Sequence, residues 1–161
     1  MSVAFTKEGD SEAAAADLPD RPVSAEPNYV TATGLALIDT ALGAARVAYA
    51  AAQAGSDIGS DRTAMARASR ELRYWTARRG SAQLVEAGDN AATVRFGSSV
   101  DFAGDDGVVR RYRIVGEDEA DPAAGSVSYV SPVARALLGK EVGATASWAG
   151  REVEIVAVTS H

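Results

Sequence analysis

Apolar positions fall into two periods along this chain. Leu35, Ile38, Leu42, Ala45, Tyr49 and Ala52 recur at steps of three and four, the a/d spacing of a coiled-coil seam. Thr31 or Thr33 is placed to cap the helix this predicts. Gly55-Ser56-Asp57-Ile58-Gly59-Ser60-Asp61 breaks the pattern as a turn, and Ser60 or Asp61 can cap a second helix. Met65, Ala68, Leu72 and Trp75 resume the seam, with Ala82 in phase after an interruption at Arg79. Two seams joined by a short turn predict an antiparallel helical hairpin over 28–86, with arms of roughly 20–25 residues or ~30–35 Å. Such a hairpin either reaches into a channel of a large partner or packs on the rest of the chain as ordinary core. The pattern alone leaves both open.

From Thr93 the period changes to two. Residues 93–102 and 107–116 alternate around the turn Ala103-Gly104-Asp105-Asp106. Tyr112–Glu117 runs into an acidic loop, Asp118–Gly125, after which Ser126–Val130 alternates again. Ser131-Pro132 opens a short helix: serine caps well, and proline is tolerated where its missing N–H has no partner. Val133, Ala136, Leu137 and Leu138 give that helix an apolar face. Ala144–Trp148 and Glu152–Val158 form a hairpin turning at Ala149-Gly150. The predicted class is α+β. A disordered acidic tail at 1–27 precedes the hairpin at 28–86, a linker at 87–92 and a small antiparallel sheet domain with one short helix at 93–161.

Composition narrows the chemistry. The 161 residues are 47% apolar, as in a folded domain. A formal net charge of -6 argues against free nucleic acid as the main partner. There is no cysteine, and the one histidine is His161. Disulfides, thiolate metal sites, thiol catalysis and His-based triads are thereby excluded. No apolar run of ~18 residues and no basic-then-apolar leader is apparent, so no membrane association and a cytoplasmic location are expected.

Three sets of side chains are candidates for recognition. Asp57 and Asp61 sit in the hairpin turn, where carboxylates serve either as turn and cap residues or as metal-directed groups. Arg67, Arg70 and Arg73 belong to a basic run on the second arm. That run is either a solvated face or a contact with RNA or acidic channel walls. Glu117, Asp118, Glu119 and Asp121 crowd the loop before the short helix, where they can meet basic residues of a partner.

The segments VRFGSSV, YRIVGEDEAD and SPVARALLGKEVG resemble the C-terminal domain of the bacterial Gre transcript-cleavage factors, GreA and GreB. PNYVTATGLALID resembles the start of their N-terminal hairpin. The resemblance covers Tyr29–Val158, densely over the last seventy residues. It implies an FKBP-like C-terminal fold that docks on RNA polymerase at the secondary channel, while the coiled coil enters the channel. Contacts implied on the docking side are Glu117, Asp118, Glu119, Asp121, Ser131, Pro132, Ala134 and Arg135. The expected protein is a monomeric, non-enzymatic transcription elongation factor that meets nucleic acid only within the polymerase complex. It needs no cofactor of its own; Mg²⁺ enters only at the polymerase active centre, where a tip carboxylate would lend a ligand.

The tip departs from the family pattern. Asp57-Ile58 can stand for the family's aspartate-leucine pair, but its key glutamate then falls on Ser60. Each arm is also shorter by ~8 residues, or ~12 Å of reach. These departures argue against cleavage stimulation. They leave open a non-cleaving regulator of polymerase, or of nucleoside diphosphate kinase as some short-armed relatives are labelled. A stand-alone FKBP-like peptide-binding module is the remaining alternative.

Overall fold

A computed structural model describes residues 18–55, 58–89 and 92–161, with the side chains of 58–61 outside the description. Contacts divide the chain into two units. One takes the residues up to Ala25 with Ile38–Ser81; the other takes Glu26–Leu37 with Ala82–His161.

The first unit is built on two long helices, α1 (Ala32–Ala54) and α2 (Ile58–Ser81). Their 23 and 24 residues give ~35 Å each. Ile38, Leu42, Ala45 and Ala68 of the expected seam are buried. The arms run antiparallel: Arg79 near the end of α2 pairs with Asp39 near the start of α1 at 2.5 Å. At the other end Ala48, Ala51 and Ala52 share a groove with Ala64 and Ala68.

Helix α1 corrects one expectation. It is long and apolar enough to cross a membrane by length and composition, with a mean hydropathy of 1.3 over its best window. Only 17% of that window is buried. Alanine produces this value without any continuous run of large apolar residues, and Asp39 and Arg46 interrupt the sequence. A second correction concerns the tail. Asp20 and Arg21, in a stretch read from composition as disordered, are held to α2. Arg21 pairs with Glu71 at 2.7 Å and stacks its guanidinium 3.7 Å from the Tyr74 ring centre. Asp20 pairs with Arg73 at 2.6 Å.

The second unit is a five-stranded sheet with short appendages. Its strands are β3 (Ser99–Ala103), β4 (Val109–Val115), β5 (Ser126–Ser128), β6 (Thr145–Trp148) and β7 (Arg151–Thr159), in the order β5-β4-β3-β7-β6. The helix α3 (Pro132–Leu137) follows β5. A two-stranded parallel ladder joins β1 (Tyr29–Val30) to β2 (Gln83–Leu84). The class is α+β. The sheet is antiparallel except at β4–β5, which pair in parallel because the acidic loop carries the chain back before β5. The strand expected from Thr93 starts only at Ser99: Thr93 makes an isolated bridge to Glu141, and Gly97 adopts φ 85°, which ends extended backbone. Val94, Val100, Phe102, Ile114, Val127, Ala134, Leu137, Ala146, Val153 and Ile155 form the core.

Asp101 and Arg111 face each other across β3 and β4 and pair through both oxygens, at 2.6 and 2.9 Å. The Arg111 guanidinium holds the Asp101 carboxyl below its ordinary value. A lowered acid contributes stability that is present above the ordinary carboxylate range, about 3.9, and is lost as pH falls through the lowered value. Because Arg111 is exposed, solvent screens the pair and the effect is small. Asp101→Asn is therefore expected to lose this small increment at pH 7 and to match the wild type at low pH, so that its stability–pH curve is flatter below about pH 4. Urea unfolding at both pH values checks this.

Candidate functional site

The short helix α3 separates an inner from an outer face. Ser131 has the extended backbone of an N-cap, φ -66° and ψ 153°, and its hydroxyl accepts the Ala134 N–H at 3.3 Å. Pro132 occupies the first turn. Ala134 and Leu137 are fully buried, whereas Pro132 and Arg135 are exposed. Ala134 is therefore corrected from a contact residue to a core residue, since a side chain with no exposed area cannot touch a partner. Arg135 reaches Glu26 at 3.1 Å, an exposed pair that costs little to exchange for another partner.

The acidic loop divides by function. The Glu119 carboxylate accepts the Thr31 hydroxyl at 2.5 Å, and Thr31 in turn accepts the Gly34 N–H at 3.0 Å. Of the two threonines considered as caps for α1, Thr31 does the capping, with Glu119 behind it. An anionic side chain there also suits the positive end of the helix dipole. Glu119 is thus committed within the unit. Glu117 and Asp118 are half-buried, and Asp121 is exposed. Asp121 makes no side-chain cap to the 3₁₀ turn after it, Pro122–Ala124, so its carboxylate faces outward. Asp121, Pro132 and Arg135 are the exposed remainder of the expected docking set.

An aromatic cluster underpins this region. Tyr29, Phe96 and Tyr129 meet with ring centres 5.4–6.2 Å apart. The Tyr129 hydroxyl donates to the Pro27 carbonyl. Burial pushes the Tyr129 phenol up, and the negative charges of Glu117 and Glu26 add to this. Tyr129→Phe keeps the ring and loses the hydrogen bond, so a loss of about 1 kcal/mol is expected in thermal unfolding near neutral pH. A raised phenol stabilises the fold below about pH 10 and ceases to do so as pH rises through the raised value. The gap between wild type and variant should therefore narrow above that range.

On α2, Arg67 and Arg73 are exposed and Arg70 is half-buried. Arg73 already holds Asp20, and Arg67 borders the alanine groove. Asp57 lies outside the described residues, as does the Asp61 side chain. Among the described residues no group of three His, Asp or Glu side chains is arranged to hold a metal. A separate cleft of about 330 Å³ is lined by Phe102 and Trp148, with Asp106, Arg110 and Glu152 around it. Sequence reasoning missed Glu26, Tyr29 and Gly116. Glu26 and Tyr29 gave no local signal, because their partners lie about a hundred residues away. Gly116 could have been found from its place between a strand and an acidic loop.

Residues 89–160 match the family model described as transcription elongation factor, GreA/GreB, C-terminal. A curated GreA from Desulfovibrio desulfuricans is 41% identical over 95 residues, covering 56% of this chain and 56% of the relative. One from Alkalilimnicola ehrlichii is 48% identical over 85 residues, covering 48% and 54%. The chain thus spans about half the length of these relatives. Among solved structures, GreA factor homolog 1 of Thermus thermophilus aligns over 84% of this chain and 100% of its own, with 20% identity and a TM-score of 0.41.

Proposed function

We propose, from the match of residues 89–160 to the GreA/GreB C-terminal family model, that this chain is a transcription elongation factor of that family acting on RNA polymerase. Its C-terminal unit docks through the outer face of α3, and α1 and α2 enter the secondary channel. The observation that carries the docking reading is the two-faced helix α3. Its inner residues are core, while Pro132 and Arg135 are exposed on the outside, within the matched domain. Asp121 extends the surface with opposite charge, which favours orientation on a partner more than raw affinity. The protein works as a monomer in the cytoplasm and meets nucleic acid only inside the polymerase complex. Any Mg²⁺ belongs to the polymerase.

The hairpin tip favours a non-cleaving role. Ser60 stands where the family pattern has a glutamate, and serine cannot serve as an anionic ligand to a hard cation. Backtracked elongation complexes incubated with the protein test this. Elongation or pausing is expected to change while the length of the arrested RNA stays the same. RNA that shortens, and stops shortening with Asp57→Ala, would show that the tip does lend a carboxylate.

A further inference from the structure

Within the C-terminal unit, a cavity of about 390 Å³ opens beside the start of α1. Its polar wall follows from strand register. Arg113 on β4 lies opposite Ser99 on β3, and Ser99 lies opposite Thr159 on β7, so the three side chains share one face of the sheet. His161 follows Thr159 along the chain and brings its Nε2 within 2.8 Å of the Ser99 hydroxyl. Arg113 and His161 both line the cavity. Asp101, two residues further along β3, is taken up by Arg111 at 2.6 and 2.9 Å. Arg113 is half-buried, and its Nε is buried with no acceptor among the described residues. We propose that this cavity is a binding site for a phosphoryl group, held by the Arg113 guanidinium.

The donors favour an oxyanion of this kind. A buried guanidinium N–H without an acceptor is costly, and a charge-assisted bond to an anion relieves that cost. The guanidinium fork also matches the spacing of phosphate oxygens. Further donors come from the backbone. Thr31 takes the Gly34 N–H on its hydroxyl and the Leu35 N–H on its carbonyl. The N–H groups of Ala32 and Thr33 have no acceptor within the helix, and both residues line the cavity. Donors therefore approach from the sheet and from the helix start, which suits the diverging oxygens of a tetrahedral anion. Leu84 and Val85 add an apolar wall. The volume lies within the ~300–1,000 Å³ of small-molecule sites, so the body of a phosphate ester has room beside them. Glu86, exposed in the lining, and Glu119, bound to Thr31, oppose an anion, so Arg113 carries the site. This binding does not depend on polymerase docking.

Amide shifts of the full-length protein, titrated with inorganic phosphate, AMP or adenosine at constant ionic strength, test the proposal. Phosphate and AMP are expected to move the Ala32, Thr33, Gly97 and Arg113 amides with millimolar or tighter affinity, and adenosine to leave them in place. Tighter binding of AMP identifies an ester as the ligand; equal affinities identify the free ion. Arg113→Gln should weaken both by about tenfold or more. Thr33→Glu separates binding from folding. A glutamate at this exposed first-turn position suits the helix dipole, so thermal unfolding should be unchanged or higher while phosphate binding is lost. Glu86→Gln should tighten binding by about threefold. Amides that do not respond to inorganic phosphate would overturn the proposal. So would shifts that Arg113→Gln and Thr33→Glu leave unchanged, or that adenosine reproduces.

Discussion

Replacing Gly116 with alanine is expected to destabilise the C-terminal unit by about 3 kcal/mol, the upper end of overpacking costs. A Cβ at this position would lie 2.5 Å from the Tyr29 carbonyl oxygen and 3.6 Å from the Val30 Cα. Both are backbone atoms of β1, which is held by its ladder to β2 and by hydrogen bonds from Gln83 and Val85. Nothing there can swing aside, so β1 must move. Gly34→Ala is the instructive contrast. Its Cβ would meet the Glu119 Oε2 at 2.7 Å, but that is the free end of a side chain. Moving it costs the hydrogen bond to Thr31, about 1 kcal/mol, while alanine in a helix recovers about 1 kcal/mol. Thermal unfolding should show a large drop for Gly116→Ala and almost none for Gly34→Ala. Equal drops would mean that β1 yields easily.

Leu137→Ala should cost about 2–5 kcal/mol, the range of large-to-small changes at fully buried sites. Leu137 has no exposed area and belongs to the core cluster with Val94, Val127 and Ala134. It sits two residues from Arg135 but faces the other way. Denaturant unfolding measures the loss. Because the residue never reaches the surface, any loss of partner binding should follow the unfolded fraction and recover when the protein is stabilised, for instance at lower temperature.

Much of this architecture was legible along the chain, and the parts that were not share a cause. Ser131-Pro132 announced α3, and the three-four spacing announced both long helices, because caps and amphipathic faces are local features. The expectation that Ala134 contacts a partner came from the family resemblance alone. A six-residue helix leaves too few positions for periodicity to say which face an alanine takes. Glu119 read as part of an acidic docking loop, yet it supports the start of α1 from 88 residues away. The strap at Asp20 and Arg21 looked like a disordered tail on composition, while its pairing partners lie about fifty residues further on. The parallel step from β4 to β5 was equally hidden, since alternation marks a strand without giving its direction. Long-range pairing is where local pattern stops being informative.

Arg135→Glu provides the most direct test of the docking surface. Arg135 is exposed, and losing its pair with Glu26 costs at most about 1 kcal/mol, so the variant should fold like the wild type. Arg110→Glu, also exposed and paired among the described residues with Asp106 and the Val108 carbonyl, is the matched control for charge reversal. The measurement is the affinity of each protein for core RNA polymerase at constant ionic strength. Docking through the outer face of α3 predicts that wild type and Arg110→Glu bind alike and that Arg135→Glu binds at least tenfold more weakly, about 1.4 kcal/mol. Equal affinities for all three, or no binding by the wild type, would contradict it.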